Sequence, residues 1–287
     1  MTTSPTVRRR RLAAELRRLR EMAGLTHQQV ADQLGPGFSR AKISHIEMAR
    51  VKPRQIDVKA MLALYGVTDA EAEPLLTLVK EANQKGWWDA YAAVMPETLR
   101  AYVGLESAAS VLRTFQPQLV PGLLQTPEYA RALAVAEPEH RARDVDRWVE
   151  LRMTRQEVLS KPEPLQLWAI LDEAALRRVV GGQDVMHRQL QHLLSMADEP
   201  HVTIQVLPFA AGAHPGIDGP FSLIGFPELA DSDVVYLTMQ TGNLYLERES
   251  DIARYNLLFD HLQASALPTS SSLELIRGIA KEHENDL

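Results

Sequence analysis

The chain has no cysteine and no long apolar run, and these two absences exclude several classes of protein. Without cysteine it can form neither a disulfide nor a thiolate metal site. No hydrophobic stretch approaches the roughly 18 residues that a membrane helix needs, and Arg8 to Arg11 are not followed by the apolar segment of a secretory signal. The sequence therefore predicts a soluble, cytoplasmic protein without a membrane segment.

Patterns that carry enzymatic or metal chemistry are also missing from the sequence. The nine histidines include no H-E-x-x-H motif, and His187 and His192 are five residues apart, so they do not share a helix face. We interpret Asp172 and Glu173 as caps of the following helix and not as a catalytic pair of carboxylates. We predict no catalytic residue, no metal, no cofactor and no enzyme.

The composition is ordinary, but the charge is unevenly distributed. With 287 residues, of which 45% are hydrophobic and 24% charged, the chain is long enough for two domains. The net charge is −6, yet residues 1–60 hold 13 lysines and arginines against 5 acids, a balance of +8, so the remainder carries −14. A basic first part is typical of a protein that faces phosphates. For the arginines taken alone, a solvated helix face is the alternative interpretation.

Two short helices separated by a turn are predicted in the basic part. The helices span His27–Leu34 and Ser39–Met48, and each starts at or just after a threonine or serine that can cap it. Gly35–Gly37, with a proline at its centre, predicts the turn. In the second helix Ile43 and Ile46 form the inward stripe, which leaves a polar and positive outer face.

The string LTHQQVADQLG, followed by FSRAKISHIEMARVKP, resembles the Xre-type helix-turn-helix family of phage-repressor and Cro-like proteins. Three features depart from the family pattern. The turn is longer, His27 replaces a phosphate-contacting glutamine, and Ala49 stands where a glycine usually closes the recognition helix. The resemblance implies a lambda-repressor-like bundle of five helices over residues 1–85 that binds double-stranded DNA.

The resemblance and the helical geometry together assign DNA contacts. We expect four residues of the outer face to contact base edges, namely Arg40, Ala41, Ser44 and His45. Residues near the helix ends and in the following loop are expected to bind phosphates: His27, Gln28, Ser39, Lys42, Arg50, Lys52 and Arg54. Arg20 and Glu47 lie at the inner edges of their helices, and the resemblance implies that they form a structural ion pair.

The rest of the chain carries a second resemblance. The blocks VPGLLQTPEYARAL, LDEAALRRVVGGQDVMHRQL and VTIQVLPFAAGAHPG resemble the C-terminal domain of unknown function that follows Xre-type domains in a large actinobacterial regulator family. The resemblance covers nearly the whole chain, from Ala13 to Ala280. It implies an antitoxin-like transcription regulator of the Scr-one or Whi-J type, a type often encoded beside a small acidic partner protein.

Hydrophobic patterning predicts an α+β domain over residues 105–287, joined to the first domain by an aromatic-rich linker over residues 86–104. The sheet is expected to be mainly antiparallel, with a hairpin turn at Thr241–Asn243, and two C-terminal helices close the fold. Further helices are predicted over residues 7–23, 56–65, 69–82, 106–113, 127–136, 141–160, 173–180, 184–197, 250–266 and 270–284. Strands are predicted over residues 165–171, 202–207, 220–226, 234–239 and 244–247.

Two groups of residues outside the first domain are candidates for a ligand or partner site. Trp87 and Trp88 either pack the two domains together or form an aromatic wall for a ligand. Glu106, Arg152 and Arg155 are expected to form a partly buried charge cluster. It is either a structural ion pair or an anion clamp.

These expectations combine into one function. The sequence predicts a sequence-specific DNA-binding transcriptional regulator that acts as a homodimer on an inverted repeat and associates with the nucleoid. The second domain would place it under the control of a small partner protein or a small-molecule effector. The alternative is an antitoxin-like protein that chiefly binds and neutralises a small acidic partner protein; the third reading is an enzyme with a tethered DNA-binding domain.

Overall fold

A computed structural model of the chain describes residues 4–137, 142–228, 232–239 and 242–285. The chain divides into two units, Met1–Asp89 and Ala90–Leu287, whereas the sequence predicted a boundary near residue 85. In the described part of the chain, no helix is long and apolar enough to cross a membrane.

The first unit is a bundle of five helices around one apolar core, as the sequence predicted. The helices are α1 (Pro5–Met22), α2 (His27–Leu34), α3 (Arg40–Glu47), α4 (Gln55–Leu64) and α5 (Asp69–Ala82). All five contribute to the core, which contains Leu12, Leu16, Val30, Ile43, Ile46, Val58, Met61, Leu62, Leu76 and Val79. Each helix buries one stripe at helical spacing, so the bundle follows directly from the sequence pattern.

Local signals fix the ends of α2 and α3. The Thr26 hydroxyl accepts a hydrogen bond from the Gln29 backbone N–H at 3.3 Å, and the Gln29 side chain accepts one from the Thr26 N–H at 2.9 Å, which makes a capping box. Ser39 Oγ accepts from the Lys42 N–H at 3.1 Å and caps α3. Between the helices, Gly35 and Gly37 have φ of 73° and 98°, values that strongly favour glycine.

The second unit is an α+β fold in which helices pack on a six-stranded sheet. Its helices are α6 (Glu97–Glu106), α7 (Pro127–Ala136), α8 (Val145–Gln156), α9 (Glu173–Arg177), α10 (Gln183–Met196), α11 (Glu249–Ser265) and α12 (Thr269–Asn285). Its strands are β1 (Val111–Gln116), β2 (Gln166–Asp172), β3 (Val202–Leu207), β4 (Phe221–Gly225), β5 (Val234–Met239) and β6 (Gly242–Leu246). The two closing helices and the overall class agree with the prediction.

The sheet has the order β3-β2-β1-β4-β5-β6. The pairs β1–β4, β4–β5 and β5–β6 are antiparallel, which confirms a mainly antiparallel sheet, but β1–β2 and β2–β3 are parallel. The parallel pairs arise because α7 and α8 connect β1 to β2, and α9 and α10 connect β2 to β3; such crossovers return the chain in the same direction.

Strand β1 lies at the centre of the sheet, and its two faces have different surroundings. Phe115 packs in an apolar core with Ile170 of β2, Phe221 of β4 and Phe259 of α11. Because side chains alternate along a strand, Leu112 and Thr114 point to the other face. A small cavity lies there beside residues of α6 and α8.

One prediction about the start of this unit is wrong. Residues 106–113 do not form a helix: α6 ends at Glu106, and the central strand begins at Val111. The segment 86–104, which the sequence predicted as a linker, contains most of α6. Arg113, Thr114 and Gln116 interrupt the apolar pattern by which a buried strand is usually recognised, and only the pairing with two neighbouring strands fixes the segment as β. Thr241, part of the predicted hairpin turn, lies outside the described residues.

Ala49 is expected to be strained at the end of α3. It is the only non-glycine residue with positive φ among the described residues, at 53°, and a β-carbon in this conformation costs roughly 1–2 kcal/mol. Ala49→Gly is therefore expected to stabilise the first unit by about 0.5–1 kcal/mol, after allowance for the larger entropy of glycine in the unfolded chain. Amide hydrogen exchange of α1–α5 in the full chain measures this.

Ala14→Gly is the matched control. Ala14 is exposed within α1, so the same substitution is expected to destabilise that helix by about 0.5–1 kcal/mol. Equal loss of protection in both variants would contradict strain at Ala49.

Candidate DNA-binding interface

The outer face of α3 presents polar side chains that the protein itself does not use. Arg40, Ala41 and His45 are exposed, and Ser44 is half-buried. Ile43 and Ile46, on the opposite side, are 0% and 2% exposed. Within the described residues, neither the Arg40 guanidinium nor the His45 imidazole has a hydrogen-bond or ion-pair partner. Their donors and acceptors are available to an external ligand.

The residues predicted to bind phosphates fall into two groups, and the four members of the first group have no charged side chain held in an ion pair. Of these four, Arg50 and Lys52 lie in the loop after α3 and are exposed, and their side chains have no charged partner in the part of the chain that is described. Gln28 and Ser39 are exposed near helix N-termini, but Gln28 donates to Asp32 at 2.8 Å and Ser39 caps α3. The second group has charged partners within the unit: Lys42 and Arg54 form ion pairs with Asp57, and His27 lies beside Glu47.

Asp57, which sequence reasoning missed, organises part of this second group. The Asp57 side chain is 6% exposed, and its carboxylate accepts from Lys42 at 2.9 Å and from Arg54 at 3.0 and 2.9 Å. Burial raises the pKa of Asp57, but the hydrogen bonds from Arg54 and Lys42 outweigh burial and hold the pKa below its usual value. The signal available in the sequence was the i,i+3 spacing of Arg54 and Asp57.

Lys42 ties the turn of the motif to α4. Besides its contact with Asp57, its Nζ donates to the Gly37 carbonyl at 2.9 Å and lies 4.4 Å from the centre of the Phe38 ring. The side chain therefore has three internal partners. Lys42 holds the lengthened turn against the start of α4.

A buried ion pair connects α1 to the end of α3. Arg20 Nε donates to Glu47 Oε1 at 2.8 Å and Arg20 Nη2 donates to Glu47 Oε2 at 2.9 Å, and the two side chains are 9% and 3% exposed. Arg20 Nη1 donates to the Leu25 carbonyl at 2.8 Å. Arg20 and Glu47, which helical geometry predicted at the inner edges of α1 and α3, are therefore in contact. Together they link α1, the start of α2 and α3.

His27 and Tyr65 complete the surroundings of this pair. His27 Nε2 lies 3.0 Å from Glu47 Oε2, so the residue expected at a phosphate is also a neighbour of the ion pair. The Tyr65 hydroxyl is buried without a hydrogen-bond partner in the described part of the chain. Burial, and then the charge of Glu47, raise the pKa of Tyr65, so its hydroxyl keeps its proton.

Comparison with family models supports both parts of the chain. Residues 11–75 match the model of a helix-turn-helix domain, and residues 99–278 match the model of a domain of unknown function, DUF5753, which covers more than half of the chain. The chain belongs to the DUF5753 family. A helix-turn-helix domain is typical of a DNA-binding transcription regulator, usually one without enzymatic activity. No curated protein matches the chain, and no solved structure does.

The DUF5753 domain contains the predicted charge cluster. Arg155 of α8 donates to Glu106 of α6 through Nε at 2.8 Å and Nη2 at 2.9 Å, and both residues are buried. Arg152 is not in this pair; its Nη1 donates to Gln125 at 3.0 Å. Gln125, 3% exposed, is a further residue that sequence reasoning missed. A lone polar residue before a capping threonine carries no recognisable signal.

Trp87 and Trp88 lie in the first unit, outside the DUF5753 match. Their rings are 5.9 Å apart and nearly perpendicular, at 82°. Trp88 is 5% exposed and Trp87 37% exposed. A β-carbon at Gly86 would lie 2.3 Å from the Trp88 ring, so this ring folds back over its own backbone.

Asp172 and Glu173 act at the start of α9. The Asp172 side chain accepts from the Ala174 N–H at 2.8 Å and is the N-cap. Glu173 bonds to Arg177 at 2.7 Å and accepts from the Phe209 N–H at 2.9 Å. The capping interpretation therefore describes Asp172, while Glu173 joins α9 to the segment after β3.

Removal of Glu47 is expected to destabilise the first unit strongly. Glu47→Ala leaves the Arg20 guanidinium buried without its counter-charge, which costs roughly 3–5 kcal/mol, a large part of the stability of a small domain. Glu47→Gln keeps the shape and a hydrogen-bond acceptor, so its loss is expected to be smaller. Hydrogen exchange of the α1–α5 amides measures both losses in the full chain.

Arg17→Ala is the control for a surface ion pair. Arg17 is exposed and pairs with Glu21 at 3.0 Å, so no measurable change is expected. If Glu47→Ala behaved like Arg17→Ala, the buried pair would not be what fixes α3.

Proposed function

We propose that this DUF5753 protein is a sequence-specific, DNA-binding transcription regulator of the Xre type. The observation that carries the proposal is the outer face of α3, where Arg40 and His45 are exposed and free of internal partners. A helix of this width fits the major groove, where arginine can bond the O6 and N7 atoms of guanine and small side chains can contact the thymine methyl group. Ala41 and Ser44 are the small residues of this face.

We divide the proposed phosphate contacts into main and additional ones, according to whether each cation is already paired with an acidic residue of the protein. Arg50 and Lys52 have no internal counter-charge among the described residues, so they are proposed as the main phosphate contacts, with Gln28 and Ser39 near helix N-termini. His27, Lys42 and Arg54 are proposed as additional contacts. Lys42 and Arg54 share the single negative charge of Asp57, so part of their attraction for phosphate is already neutralised.

Arg40→Ala is expected to reduce specificity and not only affinity. The loss of a bidentate base contact should cost about 1–3 kcal/mol on the preferred site and relax the base preference at one position. The full chain is first used to select its preferred sequence from a random DNA pool, and each variant is then titrated with that sequence and with random DNA.

Lys52→Ala is the matched control for the loss of one positive charge. It should weaken binding to both DNAs alike and reduce the slope of log affinity against log salt by about one. If Arg40→Ala behaved in the same way, Arg40 would be a phosphate contact and α3 would not read bases through it.

We also propose that the protein acts as a homodimer on an inverted repeat, joined through the DUF5753 domain. One helix-turn-helix reads a short half-site, and two linked copies bind half-sites whose centres are about 34 Å apart. Control of the regulator by a small acidic partner protein or a small-molecule effector, of the Scr-one or Whi-J type, belongs to the same proposal. That part rests on the sequence blocks that resemble this family.

Removal of residues 90–287 tests the dimer. The first unit alone should bind the inverted repeat at least tenfold more weakly than the full chain, because the second half-site is no longer held at high effective concentration. On a single half-site, the two proteins should bind equally. Equal affinities on the inverted repeat would remove the dimerising role of the DUF5753 domain.

A further inference from the structure

His27 is the first residue of α2, and one of its two ring nitrogens is held by the buried ion pair. Its Nε2 lies 3.0 Å from Glu47 Oε2. Glu47 already accepts hydrogen bonds from Arg20 through both of its oxygens, and an ionised carboxylate has no hydrogen to donate. His27 Nε2 must therefore carry a proton and donate it to Glu47. In the neutral imidazole, the other nitrogen, Nδ1, is then an acceptor.

The Nδ1 atom of His27 is available to an external group. Within the described residues it has no hydrogen-bond partner, and the side chain is 31% exposed. His27 contacts the last residue of α3, which leads directly into the loop that carries Arg50 and Lys52. Nδ1 therefore lies close to the start of a positively charged loop.

The groups around the ion pair determine what a proton on His27 would do. Among the described residues, the charged and titratable ones are Glu47 of α3, Arg20 and Glu21 of α1, and Tyr65 of α4. Arg20 balances Glu47, and Glu21 is paired with Arg17. Burial, and then the charge of Glu47, raise the pKa of Tyr65, so its hydroxyl stays neutral. The charges of this group cancel while His27 is neutral, and protonation of His27 adds one positive charge in excess.

Given the proposed function, on which this inference rests, we propose that His27 binds a DNA phosphate only as an imidazolium, so that DNA binding takes up a proton. A phosphate oxygen along DNA accepts hydrogen bonds and cannot donate one, so it does not bind to Nδ1 of the neutral ring. A proton from the solvent converts Nδ1 into a donor. The phosphate then compensates the excess positive charge.

Proton uptake makes the affinity for DNA depend on pH. An imidazole titrates between about pH 5 and 8. A group that is protonated in the complex and neutral in the free protein favours the complex at low pH, and this contribution is lost as the pH rises. Since each proton contributes a slope of one, the affinity of one chain falls by at most about tenfold per pH unit.

Two histidine variants test the inference. The full chain, His27→Gln and His45→Gln are titrated with one half of the preferred DNA site from about pH 6 to about pH 8.5 at constant salt. A glutamine amide carries two N–H groups, so Gln at position 27 can donate to Glu47 and to a phosphate at every pH. The affinity of the full chain is expected to fall at least about fivefold over this range, whereas that of His27→Gln stays constant within about twofold.

His45→Gln is the matched control, because it removes an exposed imidazole from the outer face of α3. Its affinity should fall with pH as that of the full chain does. If His45→Gln abolished the pH dependence and His27→Gln preserved it, the proton would be taken up at α3 and His27 would have no part in the linkage.

Calorimetry in two buffers of different ionisation enthalpy counts the protons directly and does not depend on the folding of a variant. Near pH 7.5 the full chain is expected to take up at least about half a proton per half-site, and no uptake would overturn the inference. Equal pH dependence of the full chain and a folded His27→Gln would also overturn it and leave the proposed function intact. Absence of DNA binding by the full chain at every pH would overturn both.

Discussion

The bond between Arg20 and Glu47 is the constraint on which the DNA-binding face depends. α3 has only eight residues, too few to be stable in isolation, so its direction is set by what its inner face contacts. Ile43 and Ile46 supply apolar packing, which allows some rotation about the helix axis. The two hydrogen bonds from Arg20 to Glu47, at the last turn of α3, are directional and therefore limit this rotation. A third hydrogen bond, from Arg20 to the Leu25 carbonyl, fixes the start of α2 to the same side chain. The outward direction of Arg40 and His45 follows from this arrangement.

The lengthened turn of the helix-turn-helix has a support of its own. A longer connection between α2 and α3 loosens their relative position, because more backbone torsions are free. Gly35 and Gly37 permit its conformation, and Lys42 then joins the Gly37 carbonyl to Asp57 of α4. Lys42 therefore stabilises the turn. Because its charge is already paired with Asp57, Lys42 is less available to a phosphate than its position on the flank of α3 indicates.

The sequence predicted the first unit better than the second because the signals of the first unit are local. Helix caps such as Thr26 and Ser39, and apolar residues at helical spacing, can each be recognised in a stretch of about ten residues. β1 was missed because its polar residues are satisfied by distant ones: Thr114 Oγ1 bonds to the Phe221 carbonyl at 3.1 Å and lies 2.9 Å from Ser222 Oγ. Gln125 was missed for the same reason, since its contact with Arg152 is known only from the fold. Asp57 had a local signal in its i,i+3 spacing from Arg54, but its contact with Lys42 is known only from the fold.

The part of the chain that the structure describes contains two arginine–carboxylate pairs in which both residues are buried, and their difference is informative. Around Glu47, the neighbours are Arg20, a histidine and a tyrosine hydroxyl, so a single carboxylate balances a single permanent positive charge. Around Glu106, the carboxylate balances Arg155, and Arg152 remains in excess. A structural ion pair needs only equal charges. Excess charge in a partly buried position persists in a fold because water can still solvate it, and Arg152 is only half-buried and keeps its bond to Gln125.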